Sequence, residues 1–448
     1  MNIDKLFEAE LSIIDIINAI KDVNEYQVNE NTTNWIAQYD GVHKILKKQG
    51  KSTINGEVEL QKTVINYQKL ITDLSVAFLF GNPIDLILKN PNESNSILFS
   101  EFKQIWERSK TDATLYNFAK DVLIQSRASI EVLKDADKVN HTVINALNSI
   151  DFFINFNDEG KTDAFERTFK VTDYDIAAKK VKERVYNDLL TNDLRIVTDI
   201  TDDKNPFEIK REEINGKMPI IYAQIKEAEF QSVQNLIDRL EKVISKNADS
   251  NDYFADPRLV VNGEVVTNEL KKDTTGDILE IKGTSGGGNA EISYLVWDRA
   301  SESYKLEVEF LIDNIFAISS TPKIDFNNLK SIGNISGVAL ELMFLATTIK
   351  TKAHIQTTFN EVVTRLISVM KNQLSNMPTI GKNFNELEID FTFNDGIPVN
   401  LKETIETLVF GVNGGVMSKE TALENNPLVD NSTKEAEQIQ TENSIQFQ

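Results

Sequence analysis

Apolar residues recur at helical spacing in several stretches of the chain. Leu6, Leu11, Ile14, Ile17 and Ile20 open the series. A longer helical pattern follows in Val64, Tyr67, Leu70, Ile71, Leu74, Ala77 and Phe78, and Gly81-Asn82-Pro83 stops it, as glycine and proline do. Phe102, Ile105, Trp106, Leu115, Phe118, Ala119 and Leu123 predict one further helix over residues 96–125. The texture then changes to short runs of β-branched and aromatic residues with polar breaks, which predict strands at 129–134, 142–147, 151–157, 164–172 and 195–200. From 227 to about 251, Val233, Leu236, Ile237, Leu240, Val243 and Ile244 form one stripe, while Gln234, Asp238, Arg239, Glu241 and Lys242 cover the other face.

Residues 253–298 read as short strands at 258–261, 263–266, 278–281 and 292–296, with the flexible run Gly283-Thr284-Ser285-Gly286-Gly287-Gly288-Asn289 among them. Tyr304, Val308, Leu311, Ile315 and Ile318 then make a seam for a neighbouring helix. Residues 319–333, with Pro322, Asn327, Asn328 and Gly333, predict a loop. A long helix is expected from Ser336 to about Ser375, a strand at 387–393 and short helices at 401–410 and 418–425. From Pro427 the chain is polar and is expected to fray or be disordered. The class is α+β. Two helices bracket a small β module and can run antiparallel as a stalk, and a loop and a very long helix follow.

Composition narrows the function. The 448 residues, 41% hydrophobic and 26% charged, suit a folded chain of two or three domains or one elaborate one. The net charge of -21 lacks the basic face that sequence-reading DNA binders use against phosphates, so any nucleic-acid contact is expected to be local or loose. Cysteine is absent, which removes disulfides, thiolate nucleophiles and zinc–cysteine sites. The N-terminus Met1-Asn2-Ile3-Asp4-Lys5 has no basic n-region, so no signal peptide is expected, and no apolar run is long enough for a membrane span.

Candidate chemistry is sparse. His43, His141 and His354 are isolated in sequence, with no partner at metal-ligand spacing, and read as structural or solvated. The glycines at 283–288 lack the Gly-Lys-Ser/Thr ending of a phosphate loop, and Gly381-Lys382 is followed by Asn383, so the glycine run reads as a hairpin tip. No Gly-X-Ser-X-Gly elbow occurs, and acidic pairs such as Asp238/Glu241 and Glu307/Glu309 read as solvated helix faces. No catalytic or cofactor-binding residue is nominated, and no enzyme activity is expected. An α+β enzyme of unknown type stays as an alternative.

Five segments carry a resemblance. Asn66-Tyr67-Gln68-Lys69-Leu70-Ile71-Thr72-Asp73, continuing to Phe80-Gly81-Asn82-Pro83, resembles the signature of the SPP1-type phage portal family, an Asn-Tyr helix followed by an aromatic-Gly-X-Pro stop. Gly216-Lys217-Met218-Pro219-Ile220-Ile221 resembles the family's Gly-X-Ile-Pro-Ile segment. Leu236-Ile237-Asp238 through Ser245, Asn247-Ala248-Asp249 and Tyr253-Phe254-Ala255-Asp256-Pro257 resemble its stem helix and the approach to its clip. Ile335-Ser336-Gly337-Val338-Ala339-Leu340 is similar to the start of its long helix, and Met417-Ser418-Lys419-Glu420-Thr421-Ala422-Leu423 to its Ser-X-Glu-Thr-Ala segment. One departure stands out: Ser126-Arg127-Ala128-Ser129 replaces the glycine usual before the next strand, which puts the strand register there in doubt.

The resemblance implies a portal fold with an N-terminal wing (1–230), stem helices (231–252 and 299–319), a β-rich clip (253–298), a tunnel loop (320–335), a long wing helix and strand (336–395) and a short crown with polar tail (396–448). It further implies a homo-oligomeric ring of about twelve subunits at a capsid vertex, assembled in the host bacterial cytoplasm, through which double-stranded DNA passes non-specifically. Implied partners are the terminase, head–tail connector or adaptor proteins, and major capsid and scaffolding proteins; another virion structural protein of the head–tail connector is the alternative reading. Lys323, Lys330, Asn327 and Asn328 of the loop would face DNA, and Lys330 is the best phosphate candidate. Gly286, Gly287, Gly288 and Asn289 would make clip contacts. Leu236, Leu240, Val243, Val308, Leu311 and Ile315 would pack the stem.

Overall fold

The computed structural model describes residues 3–9, 11–53, 56–58, 60–135, 138–175, 179–202, 205–214, 217–254, 259–262, 264–265, 281–282, 291–294, 301–323, 337–377, 381–394, 401–429 and 432–445. In chain order the helices are α1 (Ile3–Glu8), α2 (Ile13–Asn24), α3 (Thr32–Tyr39), α4 (Tyr67–Phe80), α5 (Glu93–Arg108), α6 (Thr111–Gln125), α7 (Gln234–Phe254), α8 (Ser301–Ile318), α9 (Gly337–His354), α10 (Asn360–Ser375), α11 (Leu401–Asn413), α12 (Lys419–Glu424) and α13 (Ser432–Ile445). The strands are β1 (Lys51–Thr53), β2 (Gly56–Val58), β3 (Asp85–Leu88), β4 (Arg127–Asp135), β5 (Lys138–Ile144), β6 (Asp151–Phe156), β7 (Thr162–Asp175), β8 (Lys180–Thr191), β9 (Leu194–Asp199), β10 (Phe207–Glu213), β11 (Ile220–Gln224), β12 (Leu259–Asn262), β13 (Glu264–Val265), β14 (Ile281–Lys282), β15 (Glu291–Tyr294) and β16 (Ile389–Thr392).

The chain divides into two compact units, one of Met1–Ile36, Lys69–Gln231 and Ser319–Gln448, the other of Ala37–Gln68 and Ser232–Ile318. In the first, an antiparallel sheet runs in the order β10-β9-β8-β7-β6, a second in the order β11-β4-β5, and β16 pairs with β3. The main core gathers Phe118 and Leu123 of α6, Ile130 of β4, Ile221 of β11, and Leu366 and Met370 of α10, all buried. Each such side chain contributes roughly 1.5–3 kcal/mol of burial. A smaller core seats Ile16 and Ile20 of α2 on Phe153, Ala164 and Leu189 of the larger sheet. Ser12 caps α2 by accepting the Asp15 amide at 3.2 Å.

Several elements differ from expectation. The helix expected over 96–125 is two, because Lys110 takes a left-handed conformation (φ 52) between α5 and α6. The break is held by the Thr111 hydroxyl donating to the Trp106 carbonyl at 3.0 Å and by Trp106 Nε1 donating to Asp112 Oδ2 at 3.0 Å. Strands β8, β10 and β11 escaped the pattern reading. β8 shows no alternation, its first residues Lys180–Glu183 being exposed and its last, Asn187–Thr191, buried, and β10 is an edge strand with every residue exposed. The polar tail after Pro427, expected to fray, forms α13; Lys434, Glu435, Ala436, Glu437 and Gln438 are good helix formers. The long helix expected from Ser336 runs as α9, a π-helical turn at Ile355–Phe359, and α10.

Two resemblance segments and the one departure acquire physical reasons. Gly81 donates its amide to the Ala77 carbonyl at 2.9 Å, and a Cβ there would sit 2.2 Å from that oxygen. Ser126 stands at φ 68, the left-handed position after a helix where glycine is usual, and β4 then pairs with β11 and β5 without a bulge. Ser418 is the N-cap of α12, accepting the Thr421 amide at 3.1 Å.

Candidate functional site

In the unit containing α7 and α8, the stripe read from sequence faces inward. Ile237, Leu240 and Val243 of α7 are buried, and Leu236 and Ile244 are half-buried. On α8, Leu311 and Ile315 are buried and Val308 is half-buried. Tyr67 stacks edge-on against Phe316 at 5.4 Å between ring centres, and the neighbouring Gln68 donates to Gln234 at 3.1 Å. The start of α7 and the end of α8 therefore adjoin the same residue pair, which an antiparallel packing of the two helices satisfies. Arg239 and Glu307 add an exposed ion pair at 2.5 Å.

Residues 60–66, which belong to no helix or strand, are strapped along α7 by side-chain acceptors. The Gln61 amide donates to Asp249 at 2.6 Å, the Thr63 amide to Ser245 Oγ at 3.0 Å, and the Ile65 amide to Glu241 at 2.9 Å. Donors recur every second residue and acceptors every fourth. Two residues of extended chain advance about 6.6 Å and four residues of helix about 6 Å, so the two repeats stay in step. Asn66 of the resemblance motif donates to the Tyr39 carbonyl at 2.9 Å and so secures the end of the strap.

Glu241 is the centre of this arrangement. Its Oε1 also meets Nδ1 of His43, and both side chains are removed from solvent. His43 Nε2 reaches the Gln38 carbonyl at 2.8 Å. Burial alone would lower the His43 pKa, but Glu241 and the Gln38 carbonyl together outweigh it and raise it. Lys44, which pairs with Asp238 at 2.8 Å, anchors the same segment to α7.

In the other unit, a second charge cluster surrounds Glu229. Its carboxylate accepts from Ser75 Oγ at 3.0 Å and pairs with Lys350 Nζ at 2.8 Å and His354 Nε2 at 3.0 Å. Burial alone would raise the Glu229 carboxyl, but His354 and Lys350 outweigh it and hold the group at about 2. Lys350 also donates to the Ser319 carbonyl at 2.8 Å, and Thr347 Oγ1 to the Ser320 carbonyl at 2.7 Å. Ser319 and Thr321 are buried, and Ser320 between them has φ 52.

The three histidines are thus paired: His43 with Glu241, His354 with Glu229, and His141 with the Thr111 hydroxyl at 3.0 Å, the last held at about 4 by burial. Sequence spacing could not bring these partners together, because each pairing crosses between distant segments. Glu229, Lys350 and the acceptor ladder on α7 were not nominated from sequence. The spacing of Glu241, Ser245 and Asp249 by four residues was visible, but Glu241 read as part of a solvated face and Ser245 and Asp249 only as part of the stem-helix resemblance. Of the loop candidates, Lys323 is exposed, while Asn327, Asn328 and Lys330 lie outside the described residues, as do Gly286, Gly287, Gly288 and Asn289. Among the described residues no group of three or more His, Asp or Glu is placed to hold a metal, and no helix is long and apolar enough to cross a membrane.

Comparison with known proteins gives matches in sequence and in structure. A family of phage portal proteins, SPP1 Gp6-like, matches residues 17–446. The portal protein of Bacillus phage SPP1 is 28% identical over 236 residues, which cover 51% of this chain and 44% of that relative; the match spans less than half the relative's length. Among solved structures, the neck of an empty GTA particle computed with C6 symmetry has a TM-score of 0.46 at 10% identity, covering 89% of this chain and 94% of its own. The virion of a native gene transfer agent particle has a TM-score of 0.42 at 10% identity, covering 88% and 92%.

Proposed function

The chain belongs to the SPP1 Gp6-like family of phage portal proteins, and from that premise we propose that it is one subunit of a ring-shaped channel at a capsid vertex, through which double-stranded DNA is packaged and later ejected. The observation that carries this reading is a pair of helix faces that stand exposed among the described residues. On α8, Leu306 is 66% exposed and Phe310 64%. On α9, Leu342 is 65% exposed and Ile349 60%. Large apolar side chains repeating along an exposed helix face are what a subunit interface requires. A closed ring buries them on every subunit alike.

In this reading α7 and α8 are the stem, and residues 253–298 form the clip that meets the terminase during packaging and the head–tail connector afterwards. Wing surfaces meet the major capsid and scaffolding proteins. Residues 320–335 face the channel, where each of Lys323 and Lys330 becomes a circle of positive charge. The net charge of -21 keeps DNA from adhering elsewhere, as a conduit needs, because every phosphate held tightly must be released again as DNA moves. The motor is a separate terminase.

Negative-stain images of the purified chain test the reading. Rings with a central hole are expected, of about twelve subunits. A chain that stays monomeric under all conditions, or that hydrolyses ATP alone, overturns it.

A further inference from the structure

We propose that Glu229, Lys350 and His354 form a charge latch that fixes Ser319–Thr321 on helix α9, and that they are positioning residues for the channel. The inference rests on the reading of residues 320–335 as channel-facing. The latch consists of Lys350 Nζ held between the Glu229 carboxylate and the Ser319 carbonyl, both at 2.8 Å, with Thr347 Oγ1 on the Ser320 carbonyl at 2.7 Å. His354 Nε2 meets the other carboxylate oxygen at 3.0 Å, and Ser75 Oγ donates at 3.0 Å to the oxygen that Lys350 also holds.

One general consideration and two observations separate this cluster from an ordinary buried ion pair. A packed apolar side chain would serve stability as well as the buried charges do, so the charges call for another reason. Ser320 carries a side chain at φ 52, and a left-handed residue persists where its surroundings over-determine it, as at switch regions. Directly after His354, the π-helical turn Ile355–Phe359 inserts one extra residue into the helix, a feature that recurs at functional sites. The latch therefore joins two places of irregular backbone, the left-handed Ser320 and the π-helical turn. It holds Ser319–Thr321 against α9, within one unit, and so fixes where the channel-facing segment starts on that unit.

Hydrogen–deuterium exchange on assembled rings tests it. Lys350→Met keeps the aliphatic stem and removes both contacts of the ammonium. Exchange of amides at 319–323 and 343–358 is expected to rise about tenfold or more, with β4 and β5 unchanged. Lys350→Arg is expected to keep the protection. Unchanged exchange in Lys350→Met, or an equal rise throughout the chain, overturns the latch. Should Lys350→Met not fold, Thr347→Val decides: faster exchange confined to 319–323 supports the latch, and unaltered exchange there refutes it. Lys350→Met rings are also expected to package less DNA than Lys350→Arg rings, and equal packaging refutes the positioning role. If unsubstituted rings package no DNA, the channel reading fails while the exchange result still decides the latch.

Discussion

His43 and Glu241 meet through Nδ1 and Oε1 with both side chains closed off from solvent, and the same oxygen accepts the Ile65 amide at 2.9 Å. One carboxylate on α7 thus holds two segments that lie far from it in sequence. Replacing Glu241 by Gln leaves His43 buried without its charge partner, and loss of one partner of a buried pair costs about 3–5 kcal/mol. Denaturant unfolding of the full chain measures this. Because the folded pKa of His43 is raised above 6.5, its contribution is complete below pH 6.5 and is lost as pH rises through the folded value. His43→Gln is expected to lack that decline, and a wild-type profile identical in slope to His43→Gln would exclude it.

Glu166 has a similar sign for a different reason. It is buried in the larger sheet, where it accepts from Thr168 at 2.8 Å and faces Lys21 at 3.5 Å. Burial pushes its carboxyl up to about 7 against those partners. A raised carboxyl binds its proton in the folded state, so stability present below pH 4.5 falls by about 3 kcal/mol as pH rises to about 7. Glu166→Gln is expected to abolish the fall and to unfold at a higher denaturant midpoint than wild type at pH 8.

Glu229 behaves oppositely. Its carboxyl is held at about 2 rather than 4.5, so its contribution is present above pH 4.5 and lost as pH falls toward about 2, again roughly 3 kcal/mol. Glu229→Gln is expected to be less stable than wild type at pH 7 and nearly equal to it at pH 2. A stability difference that stays constant over this range would show that the carboxylate is not paired.

Phe310 and Leu306 are exposed on α8. Phe310→Asp is expected to leave the unfolding midpoint of the separate chain within about 0.5 kcal/mol, as surface changes do, while abolishing rings. Sedimentation velocity reads the outcome, and intact rings with Asp at 310 would show that this face is not an interface.

Gly81→Ala places a methyl carbon 2.2 Å from the Ala77 carbonyl oxygen, and backbone cannot move aside cheaply. A loss of about 1–3 kcal/mol is expected, since the end of α4 must unwind or shift. Thermal unfolding measures it, and a neutral result would place the helix end elsewhere.

Much of the fold was legible because periodicity reports which face of an element is buried. The stripe on α7 and the seam on α8 came straight from spacing, and Leu240, Val243, Leu311 and Ile315 are buried. Periodicity failed where an element has no buried face. All of β10 is exposed, and α13 is mostly solvated. It also failed where one residue's conformation divides a continuous apolar pattern, as Lys110 does between α5 and α6.

By itself, the sequence determined the α+β class, the order of helices about the β module, the absence of cysteine chemistry and, through five short motifs, the family. These depend on local spacing and residue type, which are written along the chain. Only the tertiary structure decided that Glu241 serves His43 and Ile65, that Glu229 gathers Ser75, Lys350 and His354, and that the three histidines are paired. Such partners are separated by up to 198 residues, as between His43 and Glu241. A carboxylate on a helix looks the same in sequence whether water or a distant imidazole faces it; folding brings the imidazole there, and burial then sets the charge of the pair.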